Sequence, residues 1–116
     1  MPYPHDLKKS GAGVNDNDVV LTTEDVSGCN EHLIRATAGT VDVEVAINDG
    51  TVGGATYTDS ATFPISVMKL NVTNPSTWSL TIAAGEIAVL VGRFDRVRLR
   101  QNGATAAAAH ISSYIR

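Results

Sequence analysis

Residues 40–47, TVDVEVAI, alternate strictly: Val41, Val43, Val45 and Ile47 fall on one side of an extended chain, and Asp42, Glu44 and Ala46 on the other. Side chains of a strand point to opposite faces in turn, so a period of two suits a strand with one buried side and does not suit a helix. The pattern returns in TWSLTI (77–82), with Trp78, Leu80 and Ile82 inward. It returns again in DRVRLR (95–100), with Val97 and Leu99 inward. Three such segments commit a chain of 116 residues to sheets.

Further runs have strand length but carry apolar residues on both sides, as covered strands do. They are DVVLTT (18–23), HLIRAT (32–37), FPISVMKLNV (63–72), EIAVLVG (86–92) and TAAAAHIS (105–112). Pro64 belongs at a strand start or on an edge, because it cannot donate to a ladder. NDG (48–50) and QNG (101–103) are tight-turn signals, and TNPS (73–76) and AAG (83–85) mark two more breaks. Alanine is the best helix former, so the alanine block could be helical on propensity alone. Its place after a hairpin-type turn, and its ending in Ile111 and Tyr114, favour a strand packed closely on a neighbour. No segment keeps a 3.6-residue apolar repeat. The expected fold is all-β: a single-domain β-sandwich over residues 18–116, jelly-roll or immunoglobulin-like, without the Cys…Trp…Cys hallmark of true immunoglobulin domains.

Residues 1–17, MPYPHDLKKSGAGVNDN, read differently. Pro2 and Pro4 fix their own φ and push their predecessors out of the helical region, and no apolar period follows. The segment is expected to be an extended N-terminal arm outside the core. Its tip, Pro2, Tyr3, Pro4 and His5, is a candidate partner contact, since an extended arm can lend a strand to a neighbour's sheet edge.

Charge narrows the function classes. Nine Lys and Arg against twelve Asp and Glu give a net charge of −3, which argues against a nucleic-acid binder. The lysines do not cluster as a polybasic membrane anchor does, and no apolar stretch is long enough to span a bilayer. The start of the chain lacks a secretory h-region, so the expectation is a soluble protein made in the cytosol, with no membrane partner. The one cysteine, Cys29, can form neither an internal disulfide nor a zinc site and reads as a small semi-buried apolar residue.

Arg96, Arg98 and Arg100 share one face of the strand that turns Val97 and Leu99 inward. They either form an exposed face opposite Asp42 and Glu44 on a neighbouring strand, or make a protein–protein contact. Nucleic acid is disfavoured because only Phe94 stands near them as a stacking group. NDND (15–18) offers oxygen ligands but not the spacing of a calcium loop, so it reads as a turn into the first strand. His5, His32 and His110 lack metal-site spacing, and no nucleophile motif or phosphate loop is present. The expectation is a protein with no catalytic residues, metal or cofactor.

The segment TIAAGEIAVLVGRFDRVRLRQNGATAAAAHISSYIR resembles the closing part of small β-rich virion proteins of tailed bacteriophages. In those, an AGE turn, an apolar strand, an arginine-rich strand, NGATAA and a final strand recur. The resemblance covers about residues 80–116. It implies a virion structural protein, most of all a capsid decoration (cement) protein, with neck, tail or head-fibre subunits as neighbouring possibilities. The implied partners are the major capsid protein or other virion proteins, engaged by a homo-oligomer or symmetric array on the capsid surface. The rival is a small carbohydrate- or ligand-binding β-sandwich, which would display exposed aromatic rings; the alternation instead places Trp78 inward.

Overall fold

In a computed structural model, described for residues 7–46, 57–59, 67–69 and 81–115, ten strands form two antiparallel sheets. The strands are β1 (Leu7–Ala12), β2 (Val19–Thr22), β3 (Glu31–Ala38), β4 (Thr40–Ala46) and β5 (Tyr57–Asp59). They continue with β6 (Val67–Lys69), β7 (Thr81–Ala83), β8 (Ile87–Val91), β9 (Arg96–Gln101) and β10 (Ala108–Tyr114). The first sheet has the order β1-β10-β3-β8-β6 and the second β2-β9-β4-β5, with β7 also paired to β4. One half of the β4 edge, Thr40–Asp42, takes β7, and the other, Glu44–Ala46, takes β5.

The pairings are nested. β1 pairs β10, β2 pairs β9, β3 pairs β8 and β4 pairs β7, all antiparallel. The chain thus behaves as one long hairpin rolled into two sheets, its strands dealt alternately to one and the other. This is the jelly roll, and it decides between the two topologies expected. β5 and β6 are an insertion at the closed end of the roll, one added to each sheet.

The alternation read in the sequence is the alternation observed, except that Ala46, expected on the face of Asp42 and Glu44, is buried as well. Val41, Val43 and Val45 of β4 and Val97 and Leu99 of β9 are buried, and so is Ile82 of β7. They meet Ile34 and Ala36 of β3, Ala88 and Leu90 of β8, and Ala109 and Ile111 of β10. Aliphatic burial of this kind stabilises by roughly 25 cal/mol per Å² and dominates the energetics of a sandwich. The alanine block is a strand in its second half, and Ala107 and Ala109 lie in the core, where small side chains let backbone approach closely. Cys29 is buried in the same cluster. Trp78 and Leu80, Pro64, and the 48–50 and 73–76 turns lie outside the described residues.

Two expectations need correction. The arm expected over 1–17 is, from Leu7 to Ala12, the edge strand β1, paired residue for residue with β10. Its sequence, LKKSGA, shows no alternation because β1 lies mostly beyond the core and needs no apolar face. Second, QNG does not close a hairpin: β9 belongs to the second sheet and β10 to the first, so residues 102–107 cross between sheets. Gly103 has φ +101°, so the glycine signal was a bend, but a bend at a crossover.

Candidate functional site

The arginine stripe faces outward from the second sheet. In the β4–β9 register Arg100 stands opposite Asp42, Arg98 opposite Glu44, and Arg96 opposite Ala46. Glu44 gathers the middle of the stripe, its Oε1 accepting from the Nε of both Arg98 and Arg100 at 2.8 Å. Arg100 also donates from Nη1 to the Asn17 carbonyl at 2.8 Å. Asp42 instead accepts from Thr81 Oγ1 (2.9 Å) and Asn102 Nδ2 (3.0 Å). Of the three arginines, Arg96 is exposed, whereas Arg98 and Arg100 are half-buried in this network. Replacing Glu44 by Ala leaves two guanidinium groups adjacent without their shared carboxylate. That is expected to cost about 2 kcal/mol, as charge-assisted bonds do when one partner is removed. Urea denaturation at constant salt measures it, with Arg96→Ala as a near-neutral comparison.

NDND is a turn. Asp18 Oδ2 accepts from the backbone N–H groups of Val14 (3.0 Å) and Asn15 (2.8 Å). Those two bonds, that to Asn15 foremost, hold its carboxyl below the ordinary range. Asn17 takes φ +69°, a conformation asparagine tolerates, and Asp16 Oδ1 accepts from the Gly103 N–H at 2.8 Å. One oxygen of each of the two carboxylates is thus bonded to backbone N–H.

His32 is fully buried, inside the first sheet. A carbonyl can only accept, so Nε2–H donates to the Gly92 oxygen (3.0 Å) and Nδ1 accepts from the Ser113 hydroxyl (2.8 Å). The ring lies 5.7 Å from that of Phe94. Burial pushes its pKa below the ordinary 6.5, against the smaller opposing effects of the Gly92 bond and the Glu31 charge. A depressed pKa in the folded state means that the unfolded chain takes up the proton first as pH falls. The neutral ring's contribution is therefore complete above pH 6.5 and is lost on acidification below it. Urea midpoints between pH 8 and 5 should fall in that window for the parent and follow a flatter course for His32→Gln.

The opposite side of the sandwich carries a feature that sequence reasoning missed. On the outer face of the first sheet a depression of about 430 Å³ lies across β1, β10 and β3. Lys8, Lys9 and Ser10 of β1, His110, Ile111 and Ser112 of β10, and Leu33 and Arg35 of β3 line it. In register, Lys8, Ser112 and Leu33 make one row, and Ser10, His110 and Arg35 the next. No local motif could reveal it, because its residues come from three distant segments that meet only through the nested pairing. Of the contacts read from sequence, the structure places Arg96, Arg98 and Arg100 on the other sheet, while Pro2, Tyr3, Pro4 and His5 lie outside the described residues.

Comparison with solved structures finds this arrangement of strands elsewhere. The fold is shared with a prophage protein. The SPBc2 prophage-derived protein YomS superposes with a TM-score of 0.58 over 97% of this chain and 98% of its own, at 8% sequence identity. Identity that low carries the fold and nothing finer. No family model matches the sequence. No curated protein matches it either.

Proposed function

We propose that this chain is a non-enzymatic structural protein of a phage particle, one that docks on the capsid and stabilises it as a decoration protein. The observation that carries the reading is the end-to-end fold likeness to a prophage-derived protein, covering nearly all of both chains. The resemblance of the closing segment, about residues 80–116, to tailed-phage virion proteins points the same way. Jelly rolls serve in viral shells and also in lectins, so the architecture agrees with the reading without choosing it.

The mechanism is mechanical. Copies bind across joints between coat subunits, and modest contacts become strong when repeated over a symmetric shell. Candidate contacts are Pro2, Tyr3, Pro4 and His5 ahead of β1, together with exposed Arg96. Since β1 begins at Leu7, an arm free to reach a neighbour spans at most the residues before it.

Quantitative mass spectrometry of purified particles tests the reading. A copy number equal to that of the major coat subunit, or a simple fraction of it, is expected. A handful of copies per particle would move the protein to neck, tail or fibre, and absence from particles would overturn a virion role.

A further inference from the structure

We propose that Asn102 is a modification site. It is a succinimide-forming asparagine, held unreacted by the folded crossover between β9 and β10 and converted to aspartate or isoaspartate when that crossover opens.

The sequence supplies the reactants. Of the chain's asparagines only Asn102 precedes a glycine. In that pair the glycine nitrogen can attack the asparagine Cγ, because no side chain shields it. The Gly103 N–H gives up its proton, a new C–N bond forms, and the side-chain nitrogen departs as ammonia, leaving a cyclic succinimide. Water then opens the ring at either carbonyl. The sum is an amide plus water giving a carboxylic acid plus ammonia, with nothing oxidised or reduced. Asn102 is exposed, so water reaches it and ammonia can leave. Gly103, at φ +101°, has nothing within 4 Å of the place a Cβ would occupy, so its flank is open.

The fold engages both reacting groups elsewhere. The nucleophile, the Gly103 N–H, donates to Asp16 Oδ1 at 2.8 Å. The nitrogen to be expelled, Asn102 Nδ2, donates to Asp42 Oδ1 at 3.0 Å and to its Oδ2 at 3.1 Å. The Asn102 N–H is tied to the Thr40 carbonyl at 2.8 Å, and the Gly103 carbonyl accepts from Gln101 Nε2 at 2.9 Å. Attack therefore requires the Asp16 bond to break and the Asn102 side chain to swing off Asp42 toward its own backbone. These are local events in a bend, and local openings need far less free energy than global unfolding.

The product does not fit where the reactant did. A carboxylate at position 102 sets an acceptor against an acceptor at Asp42 and brings two negative charges together. Arg100, opposite Asp42 in the register, is already bonded to Glu44 and to the Asn17 carbonyl. Isoaspartate also adds a carbon to the backbone directly after the buried Gln101. Each opening that reacts is thus recorded covalently and leaves a crossover that closes less well.

The test follows amide-to-acid conversion by site-resolved mass spectrometry in ¹⁸O-water at mildly alkaline pH, for the full chain and a blocked Gln-Asn-Gly-Ala-Thr peptide. Asn102 in the parent should convert roughly a hundredfold more slowly than the peptide, the factor that two charge-assisted bonds represent. Asp16→Ala and Asp42→Ala, each removing one bond, should each raise the rate about tenfold. His32→Gln, destabilised elsewhere in the fold, should keep the parental rate. Asn102→Asp should unfold at lower urea than Asn102→Ala, since repulsion adds to the lost bond. A parent that converts as fast as the peptide would overturn the proposal, as would Asp16→Ala and Asp42→Ala variants that both keep the parental rate. Equal acceleration in His32→Gln would replace the local gate by global unfolding, and an Asn102→Asp variant as stable as the parent would remove the consequence; either overturns it too.

Discussion

Gln101→Leu is expected to lower the stability of the domain by about 3 kcal/mol, although the two side chains are close in volume. Gln101 is fully buried where three segments meet: the β1–β2 loop, the end of β9 and the crossover to β10. Its amide nitrogen donates to the Val14 carbonyl (3.1 Å) and the Gly103 carbonyl (2.9 Å), and its Oε1 accepts from the Ala107 N–H (3.0 Å). Its backbone adds two more ties, to Asp18 and from Asn17. Leucine fills the space but strips three backbone groups of their partner. The Ala107 N–H is buried and costs about 1–3 kcal/mol when orphaned, while the part-buried Val14 and Gly103 carbonyls add less because water can reach them. Urea unfolding should show a lower midpoint with an unchanged slope. Amide exchange at Ala107 should accelerate in the same variant, which locates the loss. Gln101→Glu should be worse, because a carboxylate then faces the carbonyls of Val14 and Gly103. If the Leu variant matches the parent, this network contributes nothing net to stability.

Gln101 also shows what a sequence can and cannot disclose. Strands announced by alternation, such as β4 and β9, could be read residue by residue, because the signal lies within a few neighbouring positions. The Arg–Glu pairing across them was legible for the same reason, as two complementary faces. Gln101 looked like part of a turn, since its burial depends on loops that arrive from far away in the chain. β1 escaped because an edge strand outside the core needs no apolar period, and only its pairing with β10 defines it. The choice between jelly roll and immunoglobulin-like sandwich was equally out of reach. Both deal short antiparallel strands to two sheets, and only the nested register separates them. The depression on the first sheet inherits that difficulty: Lys8, Arg35 and His110 are unremarkable singly, and long-range pairing alone sets them side by side.

That pairing turns on one residue, and the largest single effect is expected there. β3 ends at Ala38 in the first sheet and β4 begins at Thr40 in the second, so Gly39 is the whole corner. It has φ +62°, and a Cβ built on it would lie 2.7 Å from the Ala106 carbonyl oxygen, 2.8 Å from Ala107 Cα and 2.9 Å from the Thr105 oxygen. All three are backbone atoms of the β9–β10 crossover, which cannot swing aside as a flexible side chain could. Gly39→Ala therefore meets two penalties, the left-handed backbone, worth about 1–2 kcal/mol, and a displaced crossover, for a loss of about 3–4 kcal/mol together. Two other glycines separate the contributions. Gly85 has φ +88° with nothing within 4 Å of its would-be Cβ, so Gly85→Ala should show the backbone term alone. Gly28 has open space and no positive φ, and Gly28→Ala should be nearly neutral. The order Gly39, then Gly85, then Gly28 in urea midpoint is the check. If Gly39→Ala fell no further than Gly85→Ala, the crossover would yield freely and the corner would not hold β3 and β10 in register.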